Sequence, residues 1–289
     1  ILNEINFPPG VVNIICGEPE IVATTLSKSK VPRLITMIGS TTTAKKVFSD
    51  SSSSIKRLSM ELGGNAPFIV FDDADLNAAL DLAIGIKFGN SGQICVAANR
   101  FFIHKNIYDI FLEKYLDRVN NLRLGFGENK NPDMGPLITS KSRDRIIDLI
   151  EDAVKNGAKL ECGGKIPDDF SEGNWLEPTV LTNVNHKMRI FNEEIFGPVA
   201  SIMSFSDDED VLTLANKTDY GLASYIFTTS KERINLFSEN LEFGEVQVNG
   251  IKYAIYLPHG GIKESGIGHD CSHLALNDYL TKKRISIAI

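Results

Sequence analysis

Short apolar runs that end in glycine-containing turns, each followed by a stretch of helical periodicity, constrain this chain more than any other feature. Arg33-Leu34-Ile35-Thr36-Met37-Ile38 stops at Gly39-Ser40-Thr41 and passes into a segment carrying Ala44, Val47 and Phe48 at helical spacing. Ile55 to Leu62 ends in Gly63-Gly64-Asn65 before the next run, Pro67-Phe68-Ile69-Val70-Phe71. Asp72-Asp73-Ala74-Asp75 then supplies an N-cap and first-turn carboxylates to a helix whose apolar positions are Leu76, Ala79, Leu80, Ala83 and Ile84. Helices are predicted near 107–121, 140–156 and 208–216, with strands between them as far as Thr229. Strands alternating with helices in this way imply an α/β fold with largely parallel sheets.

Two further strands are predicted at the ends. Val11-Val12-Asn13-Ile14-Ile15 is a β-branched run after Pro8-Pro9-Gly10 and reads as a buried strand. In Arg284-Ile285-Ser286-Ile287-Ala288-Ile289 the isoleucines alternate, giving a strand with one apolar face that pairs either with a neighbouring subunit or with the edge of the chain's own sheet. Ser51 to Ser54 reads as a solvated loop. The chain begins Ile-Leu-Asn-Glu without a methionine, which leads us to expect part of a longer chain.

With 289 residues, 43% hydrophobic and 23% charged, there is material for a large core and for two domains. The net charge of −7 argues against a nucleic-acid or anionic-membrane partner, since both are held by positive charge. Cys16, Cys95, Cys162 and Cys271 lie far apart with no histidine at ligand spacing, so neither a disulfide framework nor a zinc site is expected, and a reducing, cytoplasmic setting is. No apolar segment approaches a membrane-spanning length.

Chemistry is suggested at four places. In Gly89-Asn-Ser-Gly92-Gln-Ile-Cys95-Val-Ala-Ala, the glycines leave room around a thiol, and Cys-Val-Ala-Ala reads as the opening turn of a helix whose dipole would favour thiolate. The alternative is a buried cysteine acting as a small hydrophobe. Glu61, between Met60 and Leu62 at a strand end, is expected to be partly desolvated and raised towards the range of a general base, or else to be an exposed strand-end carboxylate. Gly39-Ser40-Thr41, between strand and helix, could hold a phosphate on free amides or be a plain capped turn. Asn192-Glu193-Glu194-Ile195-Phe196-Gly197-Pro198 could hold ribose hydroxyls beside an aromatic, or be a solvated turn. A cysteine phosphatase spaces its cysteine and arginine one residue farther apart than Cys95 and Arg100. Among the five histidines only His259, in Leu257-Pro-His-Gly-Gly261, lies in a glycine-rich loop; most of the others read as surface residues.

Taken together and in order, Met-Glu-Leu-Gly-Gly (60–64), Gly-Gln-Ile-Cys (92–95), Glu-Glu-Ile-Phe-Gly-Pro (193–198) and Gly-Gly-Ile-Lys-Glu-Ser-Gly (260–266) resemble the aldehyde dehydrogenase superfamily, from about residue 8 to the end. The resemblance implies a partial dinucleotide-binding, Rossmann-like domain over 1–61, an α/β catalytic domain over 62–270 and a C-terminal oligomerisation segment over 271–289. It implies NAD or NADP as cofactor and a small aldehyde as substrate, oxidised to the acid in a cytoplasmic homo-oligomer, a dimer or tetramer. Cys95 would be the nucleophile, its amide an oxyanion donor, and Glu61 the base that activates water. Gly39, Ser40 and Leu62 would line the cofactor site, Glu194 would bond the nicotinamide ribose, and Phe196 would pack near the ring. His259, where the family often has an aromatic, would line the substrate tunnel.

The stretch Asn65-Ala-Pro-Phe-Ile-Val-Phe-Asp-Asp-Ala-Asp-Leu76 and the ending Asp278-Tyr-Leu-Thr-Lys-Lys283 look like succinate-semialdehyde dehydrogenases. Those usually carry an arginine where Gly89 stands, and many a second cysteine where Ala97 stands, so glyceraldehyde and lactaldehyde fit equally well. By the same resemblance, the family's first strands, its oxyanion asparagine and a ribose-contacting lysine precede the residues present here. Two other readings stand beside this one: an acylating relative using coenzyme A, against which Glu61 argues, and an inactive, truncated, oligomer-forming remnant.

Overall fold

The computed structural model describes residues 1–127, 132–170 and 172–288. Helix α1 (Pro19–Lys28), strand β1 (Leu34–Ile38), α2 (Thr41–Asp50), β2 (Arg57–Glu61) and β3 (Ala66–Val70) come first. Then α3 (Leu76–Phe88) leads through the Cys95 turn into β4 (Ala98–His104), α4 (Tyr108–Asn120), α5 (Ser140–Lys155), β5 (Lys159–Cys162) and β6 (Thr179–Thr182). The short α6 (Arg189–Asn192), β7 (Val199–Phe205), α7 (Asp208–Asn216), β8 (Tyr220–Gly221), β9 (Ala223–Phe227) and α8 (Lys231–Asn240) follow. The chain closes with β10 (Glu245–Val248), β11 (Ile262–Lys263), β12 (Gly266–Ile267) and α9 (Ser272–Tyr279).

Seven strands form the main sheet in the order β10-β9-β3-β4-β7-β6-β5, parallel except where β5 meets β6. Because successive side chains on a strand point to opposite faces, β3 and the residue after it serve two cores. Phe68 and Val70 pack on one side with Phe101, Phe111 and Tyr115; Ile69 and Phe71 pack on the other with Phe102, Ile146, Phe191 and Phe237. Every residue of β3 is buried, as a parallel strand covered by helices on both faces should be. The periodicities behave as read: Asp75 caps α3 by accepting from Asn77 N and Ala78 N, and Ala79, Leu80 and Ala83 are buried beneath it.

A second, smaller sheet, β1-β2-β12, carries its own core of Ala44, Val47, Met60 and Leu62. The strand β12 returns to this sheet from late in the chain, antiparallel to β2.

Several expectations are corrected. Val11–Ile15 forms no strand; Val11, Val12, Ile14 and Ile15 are exposed. A β-branched run becomes a strand only where another strand takes its amides and carbonyls, and none does so among the described residues. Among the described residues the isoleucine-alternating tail likewise forms no strand, and Ile285 and Ile287 are exposed, so residues 284–288 are not an edge of the chain's own sheet; Ile289 lies outside the described residues. Ser51–Ser53 is a 3-10 turn with Ser51 buried rather than a solvated loop. His104 is buried at the end of β4, not on the surface. Among the described residues no helix is long and apolar enough to cross a membrane.

Candidate active site

The turn Leu62–Asn65 carries the chain from the small sheet to the large one, and the candidate residues gather around it. Glu61 is the last residue of β2 and is buried, with neither carboxylate oxygen hydrogen-bonded among the described residues. Burial raises its pKa to about 7; His259 pulls the other way, and Asp270 and Glu245 add to the rise.

Two glycines make the gathering possible. A Cβ on Gly63 would lie 2.4 Å from Glu194 Oε2, and one on Gly64 would lie 2.3 Å from the Cys95 carbonyl oxygen. Glu194 therefore reaches the turn and accepts a hydrogen bond from Gly64 N at 2.9 Å. The later motif Glu264-Ser265-Gly266 holds the turn from the other side. Ser265 Oγ donates to Gly63 O at 2.6 Å and accepts from Gly221 N at 2.8 Å, while Leu62 N donates to Ser265 O.

Cys95 does not open a helix. Gln93–Ala97 is a turn between α3 and β4, so no helix dipole acts on the thiol from its own segment. The reason lies in the sheet: Ala98–His104 is drawn fully buried into the main sheet between β3 and β7, leaving no room for a helical turn. The expected roles of Gly89 and Gly92 also change. Gly89 has open space and ordinary backbone, while Gly92 has φ +70° and packs so closely on Gly197 that a Cβ would lie 2.2 Å from its oxygen. The glycine that packs directly on Cys95 is thus Gly64, against its carbonyl, while Gly63 borders the cavity that Cys95 lines.

A cavity of about 510 Å³ is lined by Gly39, Ser40, Leu62, Gly63, Cys95, Glu194 and Phe196, together with Ile38, Gln93 and Ile94. Phe196 stands at its wall, partly exposed and with positive φ. The carboxyl of Glu194 is raised by burial, against the Gly64 amide, Arg145 and Lys87. Ser40 caps α2 by accepting from Thr43 N. The Gly39 amide is spent on the Glu61 carbonyl at 3.0 Å, so Gly39 contributes space rather than a donor; the unshared amides at this helix start are those of Thr41 and Thr42, since Thr43 N donates to Ser40 Oγ. A Gly-lined wall, a carboxylate aimed into the cavity, an aromatic ring and a helix N-terminus suit the ribose, ring and phosphate of a nicotinamide nucleotide. No group of side chains able to hold a metal ion occurs among the described residues.

His259 lines a second cavity, of about 640 Å³, with Glu245, Tyr253, Leu257 and Cys271. Its Nε2 is 3.6 Å from Glu61 Oε2 and its Nδ1 is in short contact with Glu245 Oε1. Hydrogen bonds to Cys95 and to Glu245 raise the imidazole to about 10 despite its burial.

Sequence reasoning did not single out Glu245, Lys87 or Ser265. Lys87, in the last turn of α3, is buried and donates to Asn99 Oδ1 at 2.9 Å, and burial lowers it to about 7.

Comparison with known proteins now adds to this geometry. A family model described as "Aldehyde dehydrogenase family" matches residues 1–285. A probable succinate-semialdehyde dehydrogenase [NADP(+)] of Sinorhizobium fredii is 42% identical over 283 residues, covering 97% of this chain and 57% of its own. A glutarate-semialdehyde dehydrogenase of Pseudomonas putida is 40% identical, with coverage of 98% and 58%. The crystal structure of a betaine aldehyde dehydrogenase point mutant of Staphylococcus aureus, in complex with NAD+, superposes with a TM-score of 0.94 at 35% identity, covering 98% of this chain and 58% of that one. The chain therefore spans somewhat more than half the length of the relatives it matches.

Proposed function

The chain belongs to the aldehyde dehydrogenase family, and from that premise we propose that it serves the NAD- or NADP-dependent oxidation of a small aldehyde to its carboxylic acid. The observation that carries this reading is the meeting of Cys95, Glu194 and Phe196 on one cavity whose neighbouring wall ends in the buried Glu61.

In this reading the Cys95 sulfur attacks the aldehyde carbon and forms a tetrahedral thiohemiacetal. The Cys95 amide, which has no acceptor among the described residues, donates to the oxyanion. Bound nicotinamide supplies the acceptor for the hydride. Glu194 and Phe196 hold the ribose and ring, Ser40 and the α2 first turn receive phosphate oxygens, and Gly39, Leu62 and Gly63 shape the wall. The acyl group then stands on Cys95 as a thioester. Glu61, whose ionised form grows as pH passes about 7, takes the proton of the water that hydrolyses it. His259 borders the substrate side. An acylating reaction with coenzyme A would leave the buried Glu61 without a task. We further propose a cytoplasmic homo-oligomer, a dimer or tetramer, with no nucleic-acid or membrane partner.

The test is formation of NADH or NADPH from each oxidised nucleotide with a panel of small aldehydes, semialdehydes included, alongside Cys95→Ala. Product that disappears in the variant is expected, and it names the cofactor and preferred substrate together. Silence of the wild type across the panel would sink the reading and favour an inactive, oligomer-forming chain.

A further inference from the structure

The mechanism above gives His259 only a place on the wall and Glu245 none at all. Their geometry asks for more. Two carboxylates reach the ring from different sheets: Glu61 ends β2 in the small sheet, and Glu245 opens β10 at the edge of the large one. Both side chains are nearly buried, at 8% and 9% exposure, and His259 stands between them. Its Nδ1 is in short contact with Glu245 Oε1, while its Nε2 lies 3.6 Å from Glu61 Oε2, an ion-pair separation rather than a hydrogen bond. The loop bearing the ring is pinned by a reciprocal pair of backbone hydrogen bonds, His259 N to Asp270 O and Asp270 N to His259 O. Among the described residues no lysine or arginine comes within ion-pair distance of Glu61, and neither of its carboxylate oxygens accepts a hydrogen bond. A buried carboxylate with one cation beside it depends on that cation for its charge.

We propose that His259, held by Glu245, is a positioning residue for Glu61: its imidazolium keeps the buried carboxylate ionised near neutral pH, the form in which it can act on water. The two carboxylates use the one ring differently. Glu245 takes Nδ1 and orients the ring, which leaves the Nε2 edge and its charge to Glu61. Burial, Asp270 and the Glu245 charge all favour the neutral form of Glu61, and His259 is the group that opposes them. Raised to about 10, the imidazole stays charged across the range in which Glu61 titrates. The other groups about the ring leave this cation unrivalled on the Glu61 side. Cys95 faces it from the α3–β4 turn, and Asp270 and His269 lie in the segment paired with its own loop. Tyr253 and Lys252 share the cavity wall with it.

The task of Glu61 as base rests on the function proposed above, but the hold of His259 on its charge does not, and the test needs neither aldehyde nor nucleotide. The neutral Glu61 carboxyl is followed by its infrared carbonyl stretch, identified as the band lost in Glu61→Gln, and titrated in wild type, His259→Gln and His259→Lys. His259→Gln keeps a donor and removes the charge, so the Glu61 midpoint should rise by at least about one pH unit, tenfold in the ionisation constant. His259→Lys returns a cation and should recover at least about half of that rise. Exchange of the imidazole C2 hydrogen, read by peptide mass spectrometry, gives the pKa of His259 apart from the other histidines. The coupling is reciprocal, so that pKa should fall by at least about one unit in Glu61→Gln and in Glu245→Gln, two variants that leave the ring in place should His259→Gln fold poorly. Where turnover is seen, the acid limb of kcat should move with the Glu61 midpoint in His259→Gln. An unmoved midpoint in His259→Gln, an equal rise in His259→Lys, or a wild-type ring already neutral at about pH 8 would overturn the proposal. Silent oxidation with a midpoint that moves would sink the function above and leave the ion pair standing.

Discussion

Glu61 owes its burial to groups distant in sequence: its carboxylate lies beside Gly260 and the His259 ring, while Met60 and Leu62, its neighbours in the chain, pack into the core of the small sheet. Burial raises the carboxyl to about 7, so its basic form grows as pH passes neutrality. The acid limb of kcat should therefore lie near that value and vanish in Glu61→Gln. Steady-state turnover in that variant should fall by about 10²–10⁴-fold while the first turnover of reduced nucleotide persists, as rapid-mixing kinetics would read. The sign for stability is opposite to that of a salt-bridged acid. The folded pKa exceeds the free value of 4.5, so wild-type stability falls as pH rises from there to about 7, and the Tm of Glu61→Gln relative to wild type should climb across that window. The two glycines after it separate the two halves of the site. Gly63→Ala should raise KM for the nucleotide about tenfold by displacing Glu194, and leave Cys95 alkylation unchanged; Gly64→Ala, pressing on the Cys95 carbonyl, should lower kcat instead. The desolvation of Glu61 was expected from its apolar sequence neighbours and is found, but residues far along the chain, His259 and Gly260 among them, lie against its carboxylate. The setting of Cys95 was not: Cys-Val-Ala-Ala suits a helix start as well as a turn, and pairing of β4 with strands far away in sequence decided the matter. Glu245 gave no signal, because its partner is a histidine fourteen residues later, brought near only by the fold.

Elements with an internal period were readable, and so were the apolar runs that became β1, β2 and β3; Val11–Ile15 and the Cys95 turn, whose outcome distant partners decide, were not. Helices α3, α4, α5 and α7 stand where spacing and caps put them, because their hydrogen bonds close within the segment. The run Val11–Ile15 has the composition of a strand without a neighbour to make it one. Between elements, Arg100 is the staple no pattern announces. Fully buried in β4, it donates to Asn65 O before β3 and to Leu214 O and Ala215 O in the last turn of α7. Its cation also sits at the negative end of that helix. Arg100→Met keeps the apolar stem and removes every donor, leaving buried carbonyls bare. We expect a loss of about 3 kcal/mol, measured by urea unfolding, with the m-value unchanged.

At the scale of the whole molecule the tail after α9 is the part that one chain does not satisfy. Ile285 and Ile287 are 77% and 82% exposed, and alternation puts them on one face of an extended segment. An unpaired segment of this kind presents amides, carbonyls and apolar side chains that another strand can take. We therefore place the expected oligomer contact here, which explains why sequence alone left the tail open between its own sheet and a neighbour's: the period specifies a strand, not whose sheet it joins. Burying an isoleucine side chain contributes about 1.5–3 kcal/mol, so replacing both by aspartate removes at least about 3 kcal/mol from each copy of the contact. That should weaken association more than about a hundredfold. Size-exclusion chromatography with light scattering should then show a dimer or tetramer for the wild type and a smaller species for Ile285→Asp/Ile287→Asp. A monomeric wild type, or an unchanged mass in the variant, would remove the tail from the interface. Because the tail lies outside both cores, the variant's urea midpoint at low protein concentration should match that of the dissociated wild type, separating a lost contact from a damaged fold.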